Sequence, residues 1–115
     1  MALSMVDAIV IHHSVTPTLS AHATQAEEIA WIDKIDAYHR TRGFGGIGYH
    51  LVCFPSGRAY YISTLRQWGA GVYLENNHTC HVCLVGDYTN VPAAQQHLAG
   101  AAVAADFIDR FLEAA

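Results

Sequence analysis

The feature that most constrains the fold is an amphipathic helix placed between two short apolar runs. The helix is predicted to begin near Thr24, where Glu27 three residues later indicates a capping box, and to end near Gly43. Residues 8–11 form a β-branched run before it, and residues 47–54 form a second apolar run after it. A strand, a helix and a strand in this order predict an α/β fold.

The remaining segments extend the pattern to strand, helix, strand, strand, loop, strand and helix. Residues 59–63 are predicted to pair with the second run as a hairpin, residues 80–88 to form a fourth strand, and residues 93–115 a second helix. This order predicts a single domain, residues 1–115, with one sheet of mixed direction and helices on its faces. The expected apolar stripes of the two helices are Ile29, Ile32, Ile35 and Tyr38, and Leu98, Ala102, Phe107, Phe111 and Leu112.

The composition narrows the possible partners of this domain. Of its 115 residues, 52% are apolar and 14% are charged, and the net charge of −4 comes without a lysine or arginine cluster, so no nucleic acid is expected. No apolar stretch approaches the roughly 20 residues that cross a bilayer. The N-terminal residues have no basic leader, so no secretory signal is predicted. The apolar content and the alanine-rich last helix favour a homo-oligomer.

The three cysteines are expected to be reduced residues of the core. Cys53, Cys80 and Cys83 make an odd number in a chain without a predicted signal peptide. Cys80 and Cys83 have the C-x-x-C spacing of metal and redox sites, but they fall within a predicted strand. Residues three apart on a strand point to opposite faces, so the two thiols are expected to diverge.

Histidine is unusually frequent, with eight residues in this short chain. His12 follows the first strand at its carboxyl end, where α/β folds gather ligands, and a neutral imidazole on a rigid strand end is a good zinc ligand. The alternative is a polar residue that caps a strand end. His13, His50 and His81 are predicted to point away from the face that presents His12 or to lie too deep in the sheet. Surface positions are expected for His22, His78 and His97.

Three segments together resemble a known family. They read IVIHHSVTP, IDAYHRTRGFGGIGYHLVCFPSGRAYY and NNHTCHVCLVGDYTN, in that order. They are similar to the zinc-dependent N-acetylmuramoyl-L-alanine amidases of the phage-lysozyme and peptidoglycan-recognition-protein family. The resemblance covers nearly all of the chain, from Ile9 to the final helix. It implies the fold of that family, peptidoglycan as the partner and one zinc ion as the cofactor.

The resemblance also assigns roles to individual residues. His12 matches the first zinc ligand, and Tyr49 matches the catalytic tyrosine whose hydroxyl lies near the metal and assists at the reacting carbonyl. The family reaction hydrolyses the amide between the lactyl group of N-acetylmuramic acid and L-alanine of the stem peptide. The loop from residue 68 to residue 77 would border the substrate groove, with Trp68, Tyr73 and Asn76 in contact with substrate. A core anchor is the alternative role for Trp68.

The sequence departs from the family pattern at the metal. In the family, a second histidine and a cysteine or aspartate ligand follow the last helix, whereas this sequence ends at Ala115. His12 alone does not hold zinc at useful affinity, so other ligands are recruited, another chain supplies them, the sequence is cut short, or catalysis is lost. Two functions therefore stay open: a zinc amidase of a bacteriophage or bacterial wall-lytic system, such as an endolysin, and a non-catalytic module for peptidoglycan binding or virion assembly. The expected location is the host cytoplasm or a virion.

Overall fold

The protein folds around one sheet that has a helix on each face. The structure is a computed structural model and describes residues 5–64, 68–70 and 76–114, apart from the side chains of residues 111, 113 and 114. Its elements are β1 (Ala8–His13), α1 (Gln25–Thr41), β2 (Leu51–Cys53), β3 (Ala59–Tyr61), β4 (Thr79–Leu84) and α2 (Gln95–Ala114). The predicted order of strands and helices is confirmed.

The sheet has the strand order β1-β4-β2-β3 and mixed direction, as predicted. Strands β1 and β2 both run parallel to the central β4, and β3 pairs antiparallel with β2 through the expected hairpin. On one face, α2 packs on a cluster that includes Leu51, Cys80 and Val82. On the other, Ile32 and Ile35 of α1 join a second cluster. The predicted α/β architecture is therefore confirmed.

The start of α1 follows the local signal in the sequence. The hydroxyl of Thr24 accepts a hydrogen bond from the backbone N–H of Glu27 at 3.2 Å, and the Glu27 carboxylate accepts one from the backbone N–H of Thr24 at 3.5 Å. This reciprocal pair is the predicted capping box. After the helix, Gly43 adopts a φ of 88°, which a residue with a side chain rarely adopts. The chain therefore turns sharply toward β2.

The buried face of α1 differs from the predicted stripe. Ile29 and Tyr38 are 48% and 57% exposed, so their prediction as core residues is wrong. The buried positions are Glu28, Ile32, Ile35 and His39. The two polar members are buried because distant residues satisfy their hydrogen bonds: Glu28 accepts from Tyr60, and His39 accepts from the backbone of Gly48. Apolar periodicity alone does not detect such positions.

The predicted stripe of α2 is also displaced. Leu98 and Phe107 are 48% and 44% exposed, and Ala102 is exposed as well. The buried positions are instead His97, Gly100, Ala101, Ala104 and Ile108, while Leu112 packs at the edge of the core as expected. A side chain at Gly100 would place its Cβ 2.9 Å from the carbonyl oxygen of Gly57. The helix therefore turns its small residues toward the hairpin, because only they permit this close approach.

Cys80 and Cys83 lie in opposite core clusters, and all three cysteines are buried and free, as predicted.

His97, predicted at the surface, is instead fully buried. One of its ring nitrogens contacts the Tyr88 hydroxyl, and the other bonds the carbonyl of Cys53 at 2.6 Å. Within the described ranges, neither helix combines the length and apolar character that crossing a membrane requires.

Candidate functional site

An open cleft runs along α1 next to the carboxyl end of β1. Its volume is ≈ 940 Å³, which is within the usual range for a ligand site. One wall is formed by residues 13–16, which are the last residue of β1 and the three residues after it. Side chains of α1 and of the segment that follows it form the other wall. The described lining is His13, Ser14, Val15, Thr16, Trp31, Lys34, Ile35, Tyr38, His39, Arg42, Phe44, Tyr49, Ala70 and Asn76.

Tyr49 lines this cleft, and its ring lies beside those of two histidines. The ring of His12 lies 5.7 Å from the Tyr49 ring, measured between centroids, so the two residues matched by resemblance are neighbours. His39 contacts Tyr49 edge-on at 5.2 Å. The Nδ1 atom of His39 accepts a hydrogen bond from the backbone N–H of Gly48 at 2.8 Å. The end of α1 thus fixes the segment that carries Tyr49.

The Tyr49 hydroxyl is a neutral group. Burial raises the pKa of Tyr49 well above its usual value, and the neighbouring Cys83 adds to this shift. Burial likewise raises the pKa of the Cys83 thiol to about 12, although hydrogen bonds to Tyr49 and Ser14 oppose the shift. Both groups are therefore protonated at neutral pH. A protonated phenol can donate a hydrogen bond to an oxygen of a ligand.

His81 is the residue that sequence reasoning placed wrongly. It was predicted to point away from the face that presents His12 or to lie too deep in the sheet. It is fully buried, yet Nε2 of His12 and Nδ1 of His81 lie 2.8 Å apart. The reason is the order of the strands. β4 lies next to β1 in parallel register, with Val10 opposite His81 and His12 opposite Cys83. Residues two apart on a strand share a face, so His12 and His81 project to the same side.

The other two histidines that were predicted to point away from the face of His12, or to lie too deep, have contacts of their own. His13 contacts Tyr88 instead, and its Nδ1 atom accepts a hydrogen bond from the backbone N–H of Tyr88 at 3.0 Å. His50 is fully buried and stacks on His81, with ring centroids 5.7 Å apart. Its depth agrees with the prediction that it lies too far inside the sheet to serve a site at His12.

Two of the three predicted substrate-binding residues, Trp68 and Asn76, are among the described residues. Asn76 lines it. Trp68 is 66% exposed, so its alternative role as a core anchor is wrong. It lines a neighbouring depression of ≈ 600 Å³ that shares Phe44 with the cleft. Tyr73 lies outside the described residues. Contact of these side chains with substrate stays a prediction.

Two cationic residues of the cleft were missed by sequence reasoning. Lys34 and Arg42 are exposed on the cleft side of α1. The Lys34 Nζ atom lies 4.4 Å from the centre of the Trp31 ring, and the Arg42 guanidinium lies 5.9 Å from that of Tyr38. Their separation of eight residues, about two helical turns, could have placed them on one helix face. No pattern in the sequence indicates that a cleft opens there.

The residues around His12 do not fit a zinc ion by themselves. Across the ranges 5–64, 68–70 and 76–114, no three His, Cys, Asp or Glu side chains are placed to hold a metal. His12 already bonds to His81. A structural or catalytic zinc site takes at least three protein ligands.

The fold and the site define an α/β domain with a histidine at a strand end, a tyrosine beside it and an open cleft along the first helix. The chain belongs to the N-acetylmuramoyl-L-alanine amidase family, whose model matches residues 2–114. Among curated proteins, no sequence matches it. The family suggested by the three sequence segments is thus confirmed.

Solved structures with this fold include both amidases and recognition proteins. The chain has a TM-score of 0.75 and 20% identity to the amidase LysC from Clostridium intestinale URNW, covering 94% of this chain and 65% of that one. Human PGRP-IBETAC in complex with glycosamyl muramyl pentapeptide matches with a TM-score of 0.79 and 16% identity, over 89% of this chain and 61% of that one. The complex of peptidoglycan recognition proteins LCa and LCx with tracheal cytotoxin matches with a TM-score of 0.83 and 18% identity, over 92% of this chain and 63% of that one. The chain thus spans less than two thirds of the length of these structures.

Proposed function

We propose that this domain binds peptidoglycan by holding its stem peptide in the cleft along α1. Family membership supports this proposal, as do two solved neighbours whose described complexes contain a muramyl pentapeptide and tracheal cytotoxin. The observation that carries it is the cleft itself, whose ≈ 940 Å³ suit a short peptide with an attached sugar. Binding does not require the metal ligands that hydrolysis would need and that the described residues do not bring together.

The chemistry of the lining fits an anionic peptide. Lys34 and Arg42 are exposed along it, and among the described lining residues there is no Asp or Glu. Within the described part of the chain, neither cation forms an ion pair with a carboxylate. The net charge of the whole chain is −4, so this cleft carries the opposite sign to the protein as a whole. Trp31 and Tyr38 add flat surfaces against which peptide or sugar can pack.

Cosedimentation with purified cell walls tests this function. We expect the wild-type protein to bind, and the double variant Lys34→Gln, Arg42→Gln to bind about tenfold more weakly, because each exposed ion pair contributes up to about 1 kcal/mol. Arg110→Gln removes an exposed cation from α2, away from the cleft, and should bind like the wild type. Absence of wild-type binding to walls from several bacteria would refute the proposal.

A second candidate is the hydrolase function of the family, zinc-dependent cleavage of the amide between N-acetylmuramic acid and L-alanine. The contact between His12 and Tyr49 favours it, because the resemblance assigns the first zinc ligand and the catalytic tyrosine to these two residues. It requires ligands beyond those that the described residues bring together. Three expectations belong to this proposal: an endolysin role in a bacteriophage, residence in the host cytoplasm or a virion, and homo-oligomerisation.

Tyr49→Phe tests the hydrolase candidate. If the protein releases stem peptides from walls, the variant is expected to do so about 100- to 1,000-fold more slowly, because it loses one hydrogen-bond donor at the reacting carbonyl. Its affinity for walls should stay near that of the wild type. A free-amine assay on digested walls measures release, because hydrolysis of this amide exposes the α-amine of L-alanine. Equal rates in the two proteins would remove Tyr49 from the mechanism.

A further inference from the structure

We propose that His81 is the permanent hydrogen-bond partner of His12, and that this pair replaces metal coordination at the end of β1. His81 is then a positioning residue: it fixes the imidazole of His12 against Tyr49 without a metal ion. The inference concerns the role of His12 and goes beyond peptidoglycan binding. Only its cell-wall measurement rests on the proposed function.

The distance between the facing nitrogens of the two rings is that of a hydrogen bond. Nε2 of His12 lies 2.8 Å from Nδ1 of His81, as is usual for N–H donors. Two imidazole nitrogens that each bind zinc at about 2.0–2.1 Å in tetrahedral geometry lie roughly 3.4 Å apart. The observed distance therefore leaves no room for a zinc ion between the two facing nitrogens, and Nε2 of His12 is already in use.

Both ring nitrogens of His81 have partners, and no charge is needed to satisfy them. Nε2 of His81 contacts the Thr79 hydroxyl at 3.0 Å, and a hydroxyl can either donate or accept. Burial lowers the pKa of His81 to about 4, with His12 and His50 adding to the shift, and burial also lowers the pKa of His12. Two neutral imidazoles share one proton between their facing nitrogens, so the pair is complete at neutral pH.

Packing holds His81 in this orientation. A Cβ atom at Gly69 would lie 2.2 Å from Cδ2 of His81, so the backbone at this glycine lies directly against the imidazole. On another side His50 stacks at an interplanar angle of 13°, and its Nδ1 atom accepts the backbone N–H of His81 at 2.9 Å. The side chain of His81 is fully buried. Rotation of its ring away from His12 would break the bond to Thr79 and collide with this surrounding packing.

Metal analysis gives the first test. After dialysis against excess ZnCl₂ and removal of unbound ion, we expect the wild-type protein to retain no more zinc than His12→Ala, as measured by elemental analysis. Imidazole ¹⁵N spectra should show unchanged His12 and His81 signals when zinc is added. Cell-wall binding with and without EDTA should agree within roughly twofold. One zinc ion per chain that is lost in His12→Ala, or wall binding that EDTA abolishes, would overturn the inference.

Variants of His81 give the second test. In His81→Ala the His12 signals should move to those of a free imidazole, whereas His22→Ala, which alters an exposed histidine, should leave them unchanged. His81→Gln retains an amide that can bond His12, and it serves where His81→Ala does not fold. Unaltered His12 signals in both variants would contradict the pairing. Failure of the wild type to bind walls would refute the proposed function, while the zinc and ¹⁵N results would still decide this inference.

Discussion

Replacing Glu28 with alanine is expected to lower the free energy of unfolding by about 3 kcal/mol. The side chain is fully buried on α1. Its carboxylate accepts hydrogen bonds from the Ser56 hydroxyl, from Nη1 of Arg58 at 3.1 Å and from the Tyr60 hydroxyl at 2.7 Å. All three donors belong to the β2–β3 hairpin or its turn. Loss of the carboxylate leaves these donors without an acceptor and facing a cavity. Urea denaturation measures the resulting loss in the free energy of unfolding.

The magnitude follows from how buried each partner is. Breaking a fully buried ion pair costs about 3–5 kcal/mol, and the lower end applies because the Arg58 side chain is 43% exposed and can regain water. Glu28→Gln keeps one acceptor oxygen and should fall between the wild type and Glu28→Ala. Asp33→Ala removes an exposed carboxylate from the same helix and should change stability by less than about 0.5 kcal/mol. A loss below about 1 kcal/mol in Glu28→Ala would show that the cluster does not secure α1 to the hairpin.

Acid is expected to destabilise the protein through His81, by about 2 kcal/mol between pH 7.5 and pH 5 and by about 3 kcal/mol by pH 4. Burial lowers the pKa of His81 to about 4 in the folded protein, against 6.5 in the unfolded chain. The unfolded state therefore binds the proton first as pH falls. The stability that the neutral His81 contributes is therefore present above about pH 6.5, and it is lost as the pH falls from there toward 4. The lowered pKa of His12 acts in the same direction.

Urea denaturation at a series of pH values, with EDTA present so that bound metal does not contribute, measures this dependence. The wild type should show a steep fall below pH 6.5, and His81→Gln a shallower one, because the variant lacks the histidine whose pKa is lowered to about 4 in the folded protein. His22→Ala alters an exposed histidine and should keep the wild-type slope. Equal slopes in the wild type and His81→Gln would assign the acid sensitivity to other groups.

Much of the fold was predictable because its signals are local. The capping box at Thr24, the hairpin turn and the divergence of Cys80 from Cys83 each depend on residues within a few positions of one another. The family resemblance added His12 and Tyr49, and the structure places their rings in contact. The helix stripes were predicted less well, because apolar periodicity assigned Phe107 to the core of α2, where Gly100 and the small residues near it pack instead.

The order of elements, the mixed α/β class and the family can all be read from the residues. The identity of the buried polar side chains, and of the histidine that faces His12, depends on the folded chain. His12 and His81 are separated by 69 residues, and they meet only because β4 pairs with β1. Glu28 and His97 are buried because partners 32 and 44 residues away satisfy their hydrogen bonds. Periodicity reports the chemistry of neighbouring side chains, whereas burial of a polar group depends on partners that only the folded chain supplies.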